Sequence, residues 1–242
     1  MALMLVALMA TGCASTSMST QQQAVAAVQS ARGWAAKADP LEAVNRDIFA
    51  FNEALDDALL SPVARTYRRV VPDVLQLGVS NVFDNVSDAW SATNHLLQGK
   101  GRSSLTMTAR VVTNTVWGIG GLVDVASNLG LERETEDFGL TLGHWGIPAG
   151  PYLVLPLLGP SSLRDLIALP LDRQVTLPAI VPTVPTRNTL LGLELIHRRA
   201  DLLGASSVVS QIALDKYVFL REAYLSRRRS LIGDEDAGPV NE

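Results

Sequence analysis

The stretch "PDVLQLGVSNVFDNVSDAWSATNHLLQG", residues 72–99, decides the fold of this 242-residue chain. Proline is tolerated in the first turn of a helix and glycine commonly follows the last turn, so the stretch predicts one helix over residues 72–98. At 1.5 Å per residue, that helix would be about 40 Å long, enough to cross a whole domain. Its two sides differ in polarity, so it is one amphipathic rod, and His95 on the polar side is expected to be solvated. The apolar side carries Leu75, Val79, Val82, Phe83, Val86, Trp90 and Leu97, and the polar side carries Asp73, Ser80, Asp84, Asp88, Ser91 and His95.

Helical periodicity also dominates the segment before this helix. In "DPLEAVNRDIFAFNEALDDALL", residues 39–60, Asp39 is a candidate N-cap and Pro40 fits the first helical turn. The pair Ser61-Pro62 repeats that signature and predicts a second, short helix that ends near residue 70.

The C-terminal third of the chain is helical by the same criteria. A proline-rich connection over residues 178–185 is followed by two predicted helices, over residues 186–203 and 207–229. Few runs alternate between apolar and polar residues, so a sheet is not the main framework. The chain therefore predicts a mainly α fold, with a single compact helical domain over residues 39–230.

Two long zones are too apolar for an ordinary water-facing surface. Residues 103–130 hold only Arg110 and Asp124 as charges, and "GIGG" at 118–121 divides the zone into two arms. Neither arm reaches the roughly 20 residues that a membrane-spanning helix needs. Glycines and prolines interrupt the second zone, residues 138–171, in the same way. Both zones are therefore expected to bury themselves in protein or in lipid.

The composition supports contact with lipid or with a permanent partner. Hydrophobic residues make up 48% of the chain and charged residues 18%, with a mean hydropathy of +0.20. Soluble domains carry about a quarter charged residues, so this chain is under-charged. Its net charge of −4 gives no general attraction to nucleic acid, which is not expected as a partner.

The single cysteine predicts an anchor. The apolar run "ALMLVALMATG", residues 2–12, has the length of a signal-peptide core and leads directly to Cys13. A cysteine directly after such residues resembles a bacterial lipobox, in which the thiol is acylated, although Ala10 stands where leucine is commoner. The alternative is an ordinary signal peptide with an incidental cysteine. The sequence thus predicts a signal peptide over residues 1–12, a lipidated flexible tether over 13–38 and a disordered tail over 231–242.

No credible catalytic set or metal site is found in the sequence, and no cofactor is expected. The chain lacks a G-x-S-x-G elbow and a phosphate-binding loop, and its histidines show no ligand spacing. His197 and the carboxylate pairs at 56–57 and 134–136 are expected at the surface. His144, between Gly143 and Trp145, is expected to make a structural hydrogen bond.

Three separated blocks carry a family resemblance. The blocks are "DPLEAVNRDIFAFN" (39–52), "FGLTLGHWG" with "GPYLVLPLLGPSSLRD" (138–165), and "REAYLSRR" (221–228). In this order behind a lipobox, they resemble the MlaA/VacJ family of outer-membrane lipoproteins, and the likeness covers roughly residues 39–229.

The resemblance implies a fold and a function. It implies a helical ring that sits in the inner leaflet of the outer membrane, bound to outer-membrane porin trimers, with a central amphipathic channel. Through that channel, phospholipid that has strayed to the outer leaflet would pass to a periplasmic lipid-carrier protein, which keeps the outer membrane asymmetric. The resemblance implies no enzymatic activity. The arms of 103–130 and the segment 151–171 are the candidates for the porin contact.

Channel candidates follow from polar residues that border an apolar stripe. Asn45 and Asn52 lie beside Phe51 on the first helix, and all three are candidates for lipid contact. The alternative for the two amides is structural, tying that helix to a loop by hydrogen bonds. By resemblance, "GHWGIPAGPY" is a loop near the channel, with Gly143, Gly146 and Gly150 as candidate hinges. Pro148 would stiffen this loop.

The basic cluster near the C-terminus has two interpretations. Arg227, Arg228 and Arg229 either complement the dipole at the end of the last helix or contact phospholipid headgroups. Two rival functions also stay open. One is a lipoprotein that braces a porin without moving lipid. The other is an anchored lipid hydrolase that would use Ser161 or Ser162 with His144, although a serine after Gly-Pro is more simply a helix cap.

Overall fold

A computed structural model describes residues 39–233. The fold within this range is mainly helical, as predicted, and one two-stranded antiparallel hairpin interrupts it. In chain order the elements are α1 (Glu42–Leu55), a π-helical turn (Asp56–Leu60), α2 (Ser61–Val70), α3 (Asp73–Leu97), α4 (Gly101–Val116), α5 (Val125–Asn128), α6 (Phe138–His144), β1 (Tyr152–Leu155), β2 (Gly159–Ser162), α7 (Leu163–Gln174), α8 (Leu177–Ile180), α9 (Val184–Ile212) and α10 (Lys216–Ile232).

Helix α3 has the predicted ends, and its C-terminus shows why. Gly99 has a left-handed φ of 75°. Its N–H donates to the carbonyl of Leu96, and the N–H of Lys100 donates to the carbonyl of His95. These two bonds form a Schellman motif, which glycine permits at no steric cost. The helix packs most extensively against α4.

Helix α3 buries polar residues as well as apolar ones, and His95, which was expected to be solvated, is among them. The buried set includes the apolar Phe83 and the polar Asn85, Asp88, Ser91, Asn94 and His95. Its apolar ends are instead exposed, with Leu75 at 60% and Leu96 at 66% of full exposure.

A buried charge cluster fixes α3 to α4 and to the segment that follows α5. The carboxylate of Asp88 accepts from Arg110 Nε at 3.2 Å and from Arg133 Nε at 2.6 Å. Arg110 also pairs with Asp124 at 3.2 Å. Burial by itself would raise the pKa of Asp124. The hydrogen bonds from Ser127 and Asn114 and the charge of Arg110 outweigh this effect and lower the pKa to about 2. Buried charges are tolerated because each has a partner.

A second polar cluster fixes α3 to the start of α6. Thr141 donates from Oγ1 to Asn94 Oδ1 at 2.8 Å, and Gln98 donates to Thr141 at 3.0 Å and to Glu136 at 3.1 Å. His95 is buried and its Nε2 lies 3.1 Å from the carbonyl of Glu134. The predicted surface positions of His95 and Glu136 are therefore wrong, because both belong to this interior network.

The outer surface of residues 39–233 is rich in large apolar side chains. The buried hydrophobic set is small, and its one cluster joins Tyr152 and Val154 of β1 to Tyr217 of α10. Exposed large residues occur on nearly every helix, among them Leu41, Phe51, Val74, Leu77, Leu105, Trp117, Ile119, Leu129, Ile167, Ile180, Leu202, Ile212 and Leu214. Such a surface is typical of contact with lipid or with other protein. No helix in the described range is both long enough and apolar enough to cross a bilayer.

The first helices differ from the prediction. Asp39 does not cap α1; it is buried, and its carboxylate accepts from Asn45 at 2.8 Å and pairs with Arg221 at 3.2 Å. Ser61 does not start a new helix either, because the π-helical turn carries the helix through from α1 to α2. Arg199 of α9 binds this turn through a bidentate ion pair with Asp56. Its Nε donates to Oδ1 at 2.6 Å and its Nη2 donates to Oδ2 at 2.8 Å.

The "GIGG" interruption of residues 103–130 is confirmed. Ile119, Gly120 and Gly121 all have positive φ values, of 55°, 69° and 93°. A Cβ at Gly118 would lie 2.4 Å from the carbonyl oxygen of Asn114, so only glycine fits there. The loop therefore separates α4 from the single turn of α5.

The last two helices divide at a different place from the predicted one. Gly204 and Ser207 lie inside α9, and the chain breaks at 213–215 instead. There Asp215 caps α10 by accepting from the N–H of Val218 at 3.1 Å. Helix α10 ends at Ile232, so residues 231 and 232 belong to it. The proposed signal peptide, Cys13, the tether and residues 234–242 lie outside the described residues.

Replacing Arg110 with methionine is expected to lower the free energy of unfolding by about 3 kcal/mol or more. The buried carboxylate of Asp88 would lose one of its two cationic partners, and breaking a buried pair from one side costs this much. Urea unfolding of the purified protein measures the change. Arg102→Met, at an exposed position of the same helix, is the matched control. Equal effects of the two changes would contradict a central role for the cluster.

Candidate functional site

A cavity of about 390 Å³ lies among α3, α6, α7, α9 and α10. Its wall is amphipathic. The apolar part consists of Phe83, Val86, Trp90, Leu140, Leu169, Val175, Leu177, Tyr224 and Leu231, and the charged part of Glu136, Asp137, Asp172, Glu194, Arg198, Arg227 and Arg228. Its size lies within the range of pockets that hold small molecules. We call it the central cavity.

The carboxylate of Asp172 holds one side of the central cavity together through hydrogen bonds. Asp172 of α7 accepts from Trp90 Nε1 at 2.7 Å and from the N–H of Phe138 at 2.9 Å. Burial raises the pKa of Asp172 above its usual value, against the lowering effect of these two bonds. The indole of Trp90 is thereby held in the cavity wall, and α3 is joined to α6 and α7.

One stripe of α10 supplies another side. Tyr217, Arg221, Tyr224 and Arg228 recur at helical spacing and point to the same face. Arg228 pairs with both Asp137 and Asp165, lying 2.9 Å and 2.7 Å from their Oδ1 atoms. Burial raises the pKa of Asp165, but the charge of Arg228 and the hydroxyl of Tyr224 outweigh it and hold that pKa below its usual value.

A smaller cavity of about 120 Å³ adjoins the central one. Phe83, Glu194 and Arg198 line both. His197, expected at the surface, is buried in the wall of the smaller cavity. Its Nδ1 lies 3.3 Å from the hydroxyl of Tyr67, and its Nε2 lies 3.4 Å from Asp201. Within residues 39–233, no group of His, Cys, Asp and Glu side chains is arranged to hold a metal ion.

A family model described as "MlaA lipoprotein" matches residues 37–231. The chain belongs to the MlaA lipoprotein family. It is 36% identical over 200 residues to the intermembrane phospholipid transport system lipoprotein MlaA of Escherichia coli (strain K12), with 79% of this chain and 77% of that protein covered. It is 30% identical over 201 residues to the protein of the same name in Haemophilus influenzae, with 81% and 80% covered.

A solved structure supports the same family. It is described as "Structural basis for maintenance of bacterial outer membrane lipid asymmetry" and matches this chain with a TM-score of 0.68 and 35% identity. The match covers 80% of this chain and 98% of the other. The resemblance to the MlaA family inferred from the three sequence blocks is thus confirmed.

In this MlaA-family chain, Asn45 and Asn52 serve as ties. Asn45 is buried; it donates to the carbonyl of Tyr152 at 3.0 Å and accepts from the N–H of Val154 at 2.9 Å. Asn52 donates to the carbonyl of Leu155 at 2.9 Å and accepts from the N–H of Leu157 at 2.8 Å. The amides thus hold α1 against the hairpin, as the structural alternative expected, and neither lines the central cavity.

Phe51 points outward, with 55% of its surface exposed. It lies beside Asn52 and therefore near the hairpin turn, where Leu157 takes a positive φ of 67°. Leu157 and Leu158 are exposed as well. Phe51 therefore stays a candidate for contact with lipid at the outer surface, away from the cavity wall.

The three candidate hinge glycines have different roles. Gly146 has a φ of 86° and ends α6 in a Schellman motif. Its N–H donates to the carbonyl of Gly143, and the N–H of Ile147 donates to the carbonyl of Leu142. Gly143 lacks a positive φ, but a Cβ there would lie 2.6 Å from the guanidinium of Arg164. Gly150 has a φ of 69° and approaches Leu163. All three are needed by the observed conformation, and whether the loop moves stays a prediction.

The two serines of the hydrolase alternative are engaged in local hydrogen bonds, and His144 makes no side-chain hydrogen bond with another described residue. The hydroxyl of Ser162 caps α7 by accepting from the N–H of Asp165 at 3.2 Å, as the cap interpretation expected. Ser161 is buried and donates to the carbonyl of Ser162. His144 is exposed at the end of α6.

The basic cluster divides into two kinds of residue. Arg228 is held in the ion pairs with Asp137 and Asp165, so it is not available to the membrane surface. Arg227 and Arg229 are exposed, and Arg227 also lines the central cavity. Neither interpretation describes Arg228, and both stay predictions for Arg227 and Arg229.

The sequence interpretation missed most of the cavity wall. Trp90, Asp172 and Arg198 lie more than 20 positions apart and share no motif. The only signal was indirect: tryptophan and charged residues occur in segments that are otherwise apolar. Their convergence follows from the packing of α3, α7 and α9.

Asn45→Ala is expected to lower the free energy of unfolding by about 2 kcal/mol, because it leaves the buried N–H of Val154 and carbonyl of Tyr152 without partners. Asn52→Ala is expected to cost less, since that amide is only partly buried. Thermal unfolding in detergent measures both. The control is Asn188→Ala, at an exposed position of α9. A stable Asn45→Ala protein with altered lipid binding would instead support a role in lipid contact.

Gly146→Ala is expected to lower the free energy of unfolding by roughly 1–2 kcal/mol, the cost of a left-handed conformation for a residue with a Cβ. Gly146→Asn should cost less, because asparagine tolerates that region. The control is Gly204→Ala, inside α9 with open space around it, which should stabilise the helix. If Gly146→Asn folds normally but no longer supports lipid transport, the glycine acts as a hinge.

Proposed function

We propose that this chain moves phospholipid between membranes and so maintains the lipid asymmetry of the outer membrane, with the central cavity as the lipid path. The observation that carries the proposal is the amphipathic wall of that cavity inside a domain whose outer surface is apolar. The relatives in Escherichia coli and Haemophilus influenzae are named intermembrane phospholipid transport system lipoproteins, which supports it.

A phospholipid needs a passage that accepts a charged headgroup and apolar acyl chains together. The central cavity combines the two, with the rings of Phe83, Trp90 and Tyr224 and with guanidinium groups. Non-helical backbone within a membrane is tolerated only against protein or a water-filled space. The loops over residues 117–124 and 145–151 meet that condition if they lie against the cavity or a partner.

The exterior supports a seat in one leaflet. One leaflet has about 15 Å of hydrocarbon, half of the bilayer core. The short helices α4, α5 and α7 can lie in such a layer without crossing it, with exposed side chains such as Leu105 of α4, Leu129 directly after α5 and Ile167 of α7. Acylation of Cys13 would hold the domain at the inner leaflet of the outer membrane.

The partners are part of the proposal. The apolar arms of 103–130 and the segment 151–171 offer the surface for outer-membrane porin trimers. Lipid would leave the outer leaflet, pass the cavity and reach a periplasmic lipid-carrier protein. The resemblance to the MlaA family supports both partners and this direction of transport. No enzymatic step is needed for this passage.

Two variants of the same helix test the lipid path. In a strain that lacks the gene, phospholipid should accumulate in the outer leaflet and fall again when the intact gene is returned. Leu169→Trp places an indole in the central cavity and should restore less than a tenth of the effect. The matched control Ile167→Trp, at an exposed position of α7, should restore it fully. Outer-leaflet phospholipid is measured by surface-accessible enzymatic labelling of intact cells.

Cys13→Ala tests the anchor in the same strain and is expected to fail to remove outer-leaflet phospholipid, even when the protein is exported. Unchanged phospholipid on deletion, together with reduced porin or envelope integrity, would replace transport with the porin-bracing function. Free fatty acid released by the purified protein would favour a hydrolase.

A further inference from the structure

Arg227 is the cation of the central cavity that has no carboxylate partner among residues 39–233. We propose that Arg227 and Arg198 form a phosphate site for the headgroup of a phospholipid in the central cavity. This assignment rests on the proposed function and goes further, because it names the two groups that bind the polar end of the lipid. Both side chains line the cavity and come from different helices, α10 and α9.

The other charged residues of the cavity wall are already satisfied. Arg228 is paired with Asp137 and Asp165. Glu136 accepts from Lys100 at 3.1 Å and from Gln98 at 3.1 Å. The guanidinium of Arg228 is therefore engaged by protein carboxylates and is not the one available to a ligand.

Asp172 is satisfied as well, by the indole of Trp90 and the N–H of Phe138. Arg227, in contrast, is exposed and forms no ion pair with any described residue. Because no carboxylate of residues 39–233 neutralises it, this guanidinium is available to pair with an anion that enters the cavity.

Arg198 can supply the second contact. Its Nε and one terminal nitrogen each lie 2.9 Å from the same oxygen of Glu194, so the other terminal nitrogen has no partner among the described residues. The side chain is 57% exposed, which leaves room for it to turn. A planar guanidinium with several donors suits phosphate geometry. Glu194 holds Arg198 in place until a phosphate takes part of its bonding.

The apolar wall indicates a lipid phosphate over a free one. Leu169, Val175 and Leu177 line the same cavity as the two arginines. An acyl chain would bury apolar surface against these side chains, which favours binding of a lipid. Inorganic phosphate gains nothing from that wall, so the two sources can be separated by experiment.

Binding of lipid to the full-length protein in detergent tests the site. Radiolabelled phosphatidylglycerol and a diacylglycerol with the same acyl chains are measured by equilibrium retention. Arg227→Gln should weaken phosphatidylglycerol binding about tenfold, the effect of one charge-assisted hydrogen bond, and leave diacylglycerol binding unchanged. Arg198→Gln should act in the same direction. The control is Arg187→Gln, an exposed position of α9 outside the cavity, which should leave both lipids unaffected.

Each outcome decides the proposal. If Arg227→Gln and Arg187→Gln bind phosphatidylglycerol equally, or if Arg227→Gln weakens both lipids alike, the phosphate site is wrong while the lipid path stands. If excess inorganic phosphate displaces phosphatidylglycerol from the unaltered protein, the arginines bind free phosphate and the assignment to a lipid is wrong. If the unaltered protein binds neither lipid, the proposed function fails together with the site.

Discussion

The carboxylate of Asp88 is the constraint on which the rest of the domain depends. Asp88 lies in α3, the longest helix of the N-terminal half, and its side chain is 1% exposed. Its carboxylate forms ion pairs with both Arg110 and Arg133. Its two partners come from α4 and from the segment after α5. A buried charge of this kind strongly disfavours any arrangement that leaves it unpaired. The position of three segments is thereby set by charge pairing, with little contribution from a large apolar core.

This polar interior is consistent with the apolar exterior. In water, burial of apolar side chains determines which side of a helix turns inward. Where lipid or protein covers the outside, that driving force weakens, and hydrogen bonds and ion pairs decide the packing instead. On α3, Ser91, Asn94 and His95 are buried together with Phe83, while Leu75 and Leu96 are exposed. The wall of the central cavity shows the same mixture, because it combines Glu136 of the second polar cluster with the aromatic rings of Phe83 and Trp90.

The local features of the fold could be predicted from the sequence, and its interior could not. Pro72 and Gly99 determine the ends of α3, and "GIGG" breaks the next zone, because proline and glycine act through local backbone sterics. The burial of His95 on α3 was predicted incorrectly, because its partner, the carbonyl of Glu134, is 39 positions away and no local pattern indicates the contact. The break between α9 and α10 was also misplaced, because the helix continues through Gly204 and ends where Asp215 caps the next one. Trp90, Asp172 and Arg198 could not be grouped, because only tertiary packing brings them together.

The blocks that carry the family resemblance meet in space around α10. Arg221 pairs with Asp39 of the first block, and Tyr224 donates to Asp165 of the second. Arg228 pairs with Asp165 and with Asp137, next to the second block. These residues build the scaffold, which explains why they identify the family without indicating how the lipid is bound. Arg227 lies between Tyr224 and Arg228 in the chain yet takes no part in these bonds. The helix that joins these blocks thus also carries Arg227, which lines the cavity and has no carboxylate partner among residues 39–233. The paired Arg228 and the proposed phosphate ligand Arg227 are neighbours in the chain.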